Sequence, residues 1–178
     1  MNPTDELNKL TSLFPGGAEL FDRIEHIPAA LTPEPFKHLL VHEHHMTVTM
    51  EEFHRTPVVV KVLDRQQAGN IYSRKILLER SDNRAVVQFG IFRFDLSVVL
   101  PAVRDEILSE KTPLGRILIN YNVLRHIDLG AILLMACGPG LAPLFGCRRG
   151  ATTYGRLATI FCNQRPAVDL LEVAAPVE

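Results

Sequence analysis

Three apolar, β-branched or aromatic stretches follow one another almost without interruption in the middle of this chain. They are 57–63, 71–80 and 84–95, joined only by turn-like pieces such as 66–70 and Ser81-Asp82-Asn83. Links this short cannot carry a crossover between parallel strands, so the neighbours must run antiparallel. Residues 47–54 alternate Thr-Val-Thr-Met and are read as a further strand before them. Two closing strands, 152–162 and 167–174, flank the turn 163–166.

Helical spacing marks other segments. Leu7, Leu10, Leu13 and Phe14 recur on one helical face before Pro15-Gly16-Gly17, and a second short helix is expected through 18–24. Thr32-Pro33-Glu34 has a capping hydroxyl, a proline at the first helical position and an acid in the first turn, predicting a helix to about Val41. Residues 1–41 therefore form a helical lead-in. Val98, Val103, Ile107 and Leu108 give 97–111 an apolar side, and Thr112-Pro113-Leu114-Gly115 starts another helix to about Asn120. Residues 124–135 fit strand or helix, and the Gly/Pro-rich 137–150 reads as a loop or flap. Strands grouped together, with no repeating strand–helix alternation, predict one α+β domain over 1–178.

Within these strands two charges stand alone. Arg74 shares a strand row with Tyr72, Ile76 and Leu78, and Glu172 with Val168, Leu170 and Ala174. A charge facing an apolar interior is costly unless it is paired or meets a ligand. Two arrangements satisfy that rule: the two charges pair with each other, or they line a pocket. Arg156, in a row with Tyr154, Ala158 and Ile160, is a second candidate cation. The Thr112-Pro113 helix start is a candidate anion site, because its first N–H groups have no intrahelical acceptor.

Composition narrows the function classes. The 178 residues carry 19 basic and 20 acidic side chains, a net charge of −1, which leaves no basic excess for a nucleic-acid backbone. Cys137, Cys147 and Cys162 are odd in number, lack metal-ligand spacing and sit among apolar neighbours, as inert thiols do. His42-Glu43-His44-His45 is not the spacing of a zinc helix, so no metal is expected there. The N-terminus lacks a basic-then-apolar leader, and 129–135 is too short to span a bilayer, so a cytoplasmic protein without membrane partners is expected.

Five strings, in order, resemble the chorismate pyruvate-lyase family, in particular its compact branch that forms 4-hydroxybenzoate. They are His45-Met46-Thr47-Val48-Thr49-Met50-Glu51, Tyr72-Ser73-Arg74-Lys75-Ile76-Leu77-Leu78, Thr112-Pro113-Leu114-Gly115-Arg116-Ile117-Leu118, Tyr154-Gly155-Arg156 and Leu171-Glu172-Val173. The ending departs from that family: Glu172-Val173-Ala174-Ala175-Pro176 stands where the family often has Glu-x-x-Leu-Pro.

The resemblance implies a single antiparallel sheet with helices packed on one side, enclosing a small pocket under mobile flaps. It implies chorismate as substrate, pyruvate and 4-hydroxybenzoate as products, and no cofactor. Arg74 would bind a ligand carboxylate, assisted by backbone amides of the Met46-Thr47 and Leu114-Gly115 segments. Glu172, kept protonated by its apolar row, would act as the acid, and Arg156 would be a second cation. The same fold also serves as an effector-sensing domain in transcription regulators. The alternative expectation is therefore a non-catalytic binder of small aromatic acids. The residues ahead of the first strand are too few for a DNA-binding helix-turn-helix, so none is expected here.

Overall fold

The computed structural model describes residues 2–177. Seven strands form one sheet, all neighbours antiparallel: β1 (Phe21–Ile27), β2 (Val58–Ala68), β3 (Ile71–Arg80), β4 (Val86–Asp95), β5 (Arg125–Cys137), β6 (Thr152–Cys162) and β7 (Arg165–Ala174). Their order across the sheet is β1-β5-β6-β7-β4-β3-β2. The expected meander is β2–β3–β4. The ambiguous segment 124–135 is strand, as its pairing along nearly all of β6 requires.

The helices are α1 (Pro3–Thr11), α2 (Phe36–Leu40), α3 (Met46–His54), α4 (Pro101–Ser109), α5 (Leu114–Asn120) and α6 (Ala142–Phe145). The main helical layer, α2 to α5, covers one face of the sheet. There Phe36, Leu39, Leu40, Met46 and Met50 pack with Ile76, Leu78 and Ile132. Val103, Ile107, Ile117 and Leu118 pack with Phe92, Phe94 and Ile160. The opposite row of the same strands (Leu77, Phe89, Ile91, Leu133, Leu157, Leu171) is sealed by Leu7 and Leu10 of α1 and by Leu141 and Ala142 at α6. Both faces are thus dry, as the nearly continuous apolar runs of β3, β4 and β7 demand.

Four local expectations are corrected. Residues 47–54 are not a strand but lie within α3. Met46 and Met50, one helical turn apart, are both buried against α2, and this tertiary contact outweighs the local β preference of Thr-Val-Thr. The short helix expected over 18–24 is mostly β1, an edge strand whose Asp22, Arg23, Glu25 and His26 point to water. The helix expected from Pro33 begins only at Phe36, after a second proline, Pro35. Finally, 137–150 is no flap over a pocket. Gly138 and Gly140 bind the carbonyls of Leu20 and Glu19, and Leu141 and Ala142 are buried in the reverse-face core. A Cβ at Gly138 would stand 2.4 Å from the Glu19 carbonyl oxygen, so the tight approach there needs glycine.

Candidate functional site

Between the sheet and the helical layer lies a small cavity of about 40 Å³. All seven residues proposed from sequence line it: Arg74, Glu172, Met46, Thr47, Leu114, Gly115 and Arg156. Strand alternation explains the convergence. Arg74, Ile76 and Leu78 of β3, Gly90 and Phe92 of β4, Leu170 and Glu172 of β7, and Arg156 and Ile160 of β6 all project to the same face. The starts of α3 and α5 close the top, packed so tightly that a Cβ on Gly115 would meet His45 Cβ at 2.9 Å and Thr47 Oγ1 at 3.0 Å.

Arg74 and Glu172 do not pair with each other. Glu172 Oε2 accepts from Arg156 Nε at 2.7 Å, across the directly paired positions of β6 and β7. The expectation that an apolar row alone surrounds Glu172 is therefore corrected, because a buried guanidinium binds its carboxyl group. Arg156 goes further: its Nη1 donates to the His42 carbonyl at 2.9 Å and its Nη2 to the His44 carbonyl at 3.0 Å. It thereby ties the non-helical strap 42–45 down beside the cavity.

Arg74 is held less completely, with the Tyr72 hydroxyl as its hydrogen-bonding neighbour. It is 1% exposed, and among the described residues nothing accepts from its Nε or Nη1. The Phe92 ring, 4.7 Å from Cζ, holds its guanidinium in place. Burial lowers its pKa, while Tyr72 and Glu110 oppose that shift. An arginine stays cationic regardless. Tyr72 donates to Glu110 Oε1 at 2.7 Å, and Glu110 also pairs with Arg65 at 2.8 Å, so the nearest carboxylate is engaged elsewhere. The result is a buried cation that lines the cavity with no carboxylate of the described residues bonded to it directly.

The amides at the helix starts add donors. His45 caps α3 without a side-chain hydrogen bond, and Pro113 caps α5 in the same way. The first N–H groups of each helix lack intrahelical acceptors, and Met46, Thr47, Leu114 and Gly115 carry them.

The buried histidines of the strap are hydrogen-bonded within the protein. His42 Nε2 donates to the Leu39 carbonyl at 2.7 Å, and its Nδ1 lies 3.3 Å from Arg156 Nη1. His45 Nε2 accepts from Arg125 Nε at 2.7 Å. Burial foremost, then nearby arginine charge, pushes both down to about 4, so each is a neutral ring. Among the described residues no group of three or more His, Cys, Asp or Glu side chains is placed to hold a metal ion. Burial raises the thiols of Cys137 to about 12 and Cys162 to about 11, which makes them poor nucleophiles.

Sequence reading passes over one lining residue. Gln88 is 2% exposed, and nothing among the described residues donates to its Oε1. The signal that picks out Arg74 was present here too, a single polar side chain in Val86-Val87-Gln88-Phe89-Gly90-Ile91-Phe92.

No family model matches this sequence, and no curated protein matches it either. Solved structures do share its fold. The effector domain of PhnF from Mycobacterium smegmatis superposes with a TM-score of 0.52 at 9% identity, covering 74% of this chain and 88% of that one. The ligand-binding domain of a protein ascribed to the GntR family of transcriptional regulators, from Bordetella bronchiseptica, gives 0.50 at 16%, covering 66% and 85%. A protein from Streptomyces coelicolor ascribed a transcriptional-regulator role gives 0.50 at 17%, covering 67% and 87%. The chain thus has the chorismate lyase-like α+β fold: one antiparallel sheet with its helical layer on one side. No helix among the described residues is long and apolar enough to cross a membrane.

Proposed function

We propose that this chain binds a small aromatic carboxylic acid, whose carboxylate meets Arg74 and whose ring lies against Ile76 and Leu78. One observation carries the reading: Arg74 lines the cavity, is buried and oriented by Phe92, and has two nitrogens without a partner among the described residues. An uncompensated buried cation is unfavourable by several kcal/mol, and a planar carboxylate satisfies a guanidinium in two-point fashion. The amides of Met46 and Leu114 supplement it. Shared fold with regulator effector domains supports a binding role, at the level of fold alone. Calorimetric titration with 4-hydroxybenzoate tests it. Wild-type protein should bind, and Arg74→Ala should keep the fold and lose binding. Equal affinity in the two proteins would exclude Arg74 from the site.

A second reading is turnover of chorismate to 4-hydroxybenzoate and pyruvate. The observation in its favour is that the five family-like strings, scattered from His45 to Val173, converge on a single cavity. In this reaction the ring–oxygen bond to the enolpyruvyl group breaks, the ring loses a proton and becomes aromatic, and the departing enolpyruvyl group gains a proton to become pyruvate. Arg74 and the helix-start amides would fix the carboxylates. Glu172 would move the proton, with Arg156 steadying the charge that develops on the leaving group. Incubation with chorismate, followed by 4-hydroxybenzoate absorbance and a pyruvate assay, separates turnover from binding alone. If turnover occurs, Glu172→Gln should slow it on the order of 10²–10⁴-fold while product affinity changes far less.

A further inference from the structure

Two of the three cysteines meet in the segment that covers the reverse face of the sheet, away from the cavity. Cys137 ends β5, with its thiol fully buried among the reverse-face side chains. The chain leaves it through Gly138 and later returns to it. Gly150 N–H donates to the Cys137 carbonyl at 2.7 Å, and Cys137 N–H donates to the Ala151 carbonyl at 2.9 Å. Inside this loop α6 ends at Gly146, whose left-handed φ of 66° turns the chain. Cys147 N–H then donates back to the Ala142 carbonyl at 3.1 Å. Cys147 is thereby half-buried against the same apolar cluster, and its thiol lies within hydrogen-bonding reach of the Cys137 thiol. Cys162 belongs to the other side of the sheet, beneath the helical layer.

One short stretch of chain holds the loop at both ends. Gly138 and Gly140 donate to the carbonyls of Leu20 and Glu19 at 2.8 Å each. Arg149 grips Asp22 through two contacts of 2.8 Å. The fold itself therefore keeps the two sulfurs together, and groups fixed side by side react as if at very high local concentration. All three cysteines are free thiols in the structure.

We propose that Cys137 and Cys147 are a reversible disulfide site, which a small-molecule disulfide closes and a dithiol reductant reopens. Burial first, and then the neighbouring Cys147, hold Cys137 as a neutral thiol, so the half-exposed Cys147 reacts first. Its thiolate attacks one sulfur of the small disulfide. A new sulfur–sulfur bond forms on Cys147, the reagent's own bond breaks, and one thiolate leaves. The Cys137 thiol then gives its proton to solvent, its sulfur attacks Cys147 Sγ, and the second thiolate leaves. The protein loses two protons and two electrons, and the small disulfide is reduced to two thiols. The bond clamps the α6 loop over the contacts that Leu141 and Ala142 make with the core.

The experiment treats the full reduced chain with oxidised glutathione. It reads intact mass, peptide map, thiol count after unfolding, and melting temperature. The wild type should lose two hydrogens in mass and keep one of its three thiols. It should yield a peptide linked through Cys137 and Cys147 and melt about 5–10 °C higher. Dithiothreitol should restore the starting values. Cys137→Ser should stop at the mixed disulfide of glutathione on Cys147. Cys147→Ser, changed at the half-exposed position, should form no bond and show no rise, and it keeps the test decisive if Cys137→Ser does not fold. Three thiols remaining, glutathione retained on Cys147 of the wild type, or a bond to Cys162 or to a second copy overturns the proposal. So does a linked protein that melts no higher than the reduced one.

Discussion

Arg74 and Arg156 project from the same face of one sheet, at 1% and 0% exposure, and their surroundings differ completely. Every nitrogen of Arg156 donates to protein: Glu172, the His42 carbonyl and the His44 carbonyl. Arg74 leaves Nε and Nη1 without an acceptor and has an aromatic ring beside it instead of a carboxylate. A saturated buried cation belongs to the architecture, because removing it strands the groups it satisfies. An unsaturated one is a standing cost to the fold, which the carboxylate of the proposed ligand would offset. The same residue type at the same depth therefore has two meanings, told apart by its hydrogen bonds.

The contrast can be broken most decisively at the saturated end. Arg156→Met should destabilise the protein by about 3–5 kcal/mol, since it leaves the Glu172 carboxyl half-buried without its partner and frees the 42–45 strap. Urea unfolding measures this. Arg74→Met, measured the same way, should leave stability unchanged or slightly raised. Its effect should appear in ligand titration, as a loss of about 2–5 kcal/mol in the binding of 4-hydroxybenzoate. If both variants lose stability equally, Arg74 is as structural as Arg156 and the distinction collapses.

A third substitution probes the cover that both arginines share. Gly115→Ala puts a methyl group into His45 and Thr47 at about 3 Å. It should cost about 1–3 kcal/mol and weaken ligand binding by moving the starts of α3 and α5 apart. A melting temperature and affinity equal to wild type would show that the two helix starts yield freely.

The smallest expected effect is in pH. Burial pushes His42 and His45 down to about 4 in the folded chain, against an ordinary imidazole value of 6.5. Between those values the unfolded chain binds more protons, so stability falls as pH drops from about 6.5 to 4 and levels off below. Solvent screening at the partly exposed His42 reduces its share of the loss. Unfolding midpoints compared at neutral and mildly acidic pH measure it, and His45→Asn should flatten the slope. A slope that His45→Asn leaves untouched would move the effect to other groups.

Much of this architecture could be read from the residues alone. β3, β6 and β7 fall within two residues of the stretches that alternation marks, and the Arg74, Glu172 and Arg156 rows point inward as strand periodicity requires. What could not be read depends on contacts distant in sequence. Thr47-Val48-Thr49 prefers a strand locally and becomes helix because Met46 and Met50 find α2. Whether Glu172 pairs with Arg74 or Arg156 depends on which strand neighbours β7 on each side, and that order is a property of the whole sheet. The Gly/Pro-rich 137–150 has a loop's composition, yet Glu19 and Leu20, far upstream, decide that it docks on the reverse face.

Strand β1 carries a consequence for how the chain is made. Among the described residues it pairs only with β5, where Phe21 meets Cys137 and Ile27 meets Ile132. About one hundred residues separate the two strands, so at roughly 5–20 residues per second on the ribosome β1 waits about 5–20 s for a mate. Asp22, Arg23, Glu25 and His26 make that wait safe, since a charged ribbon resists pairing with its siblings on neighbouring ribosomes. Neutralising those side chains would endanger the newborn polypeptide well before it troubled the finished molecule.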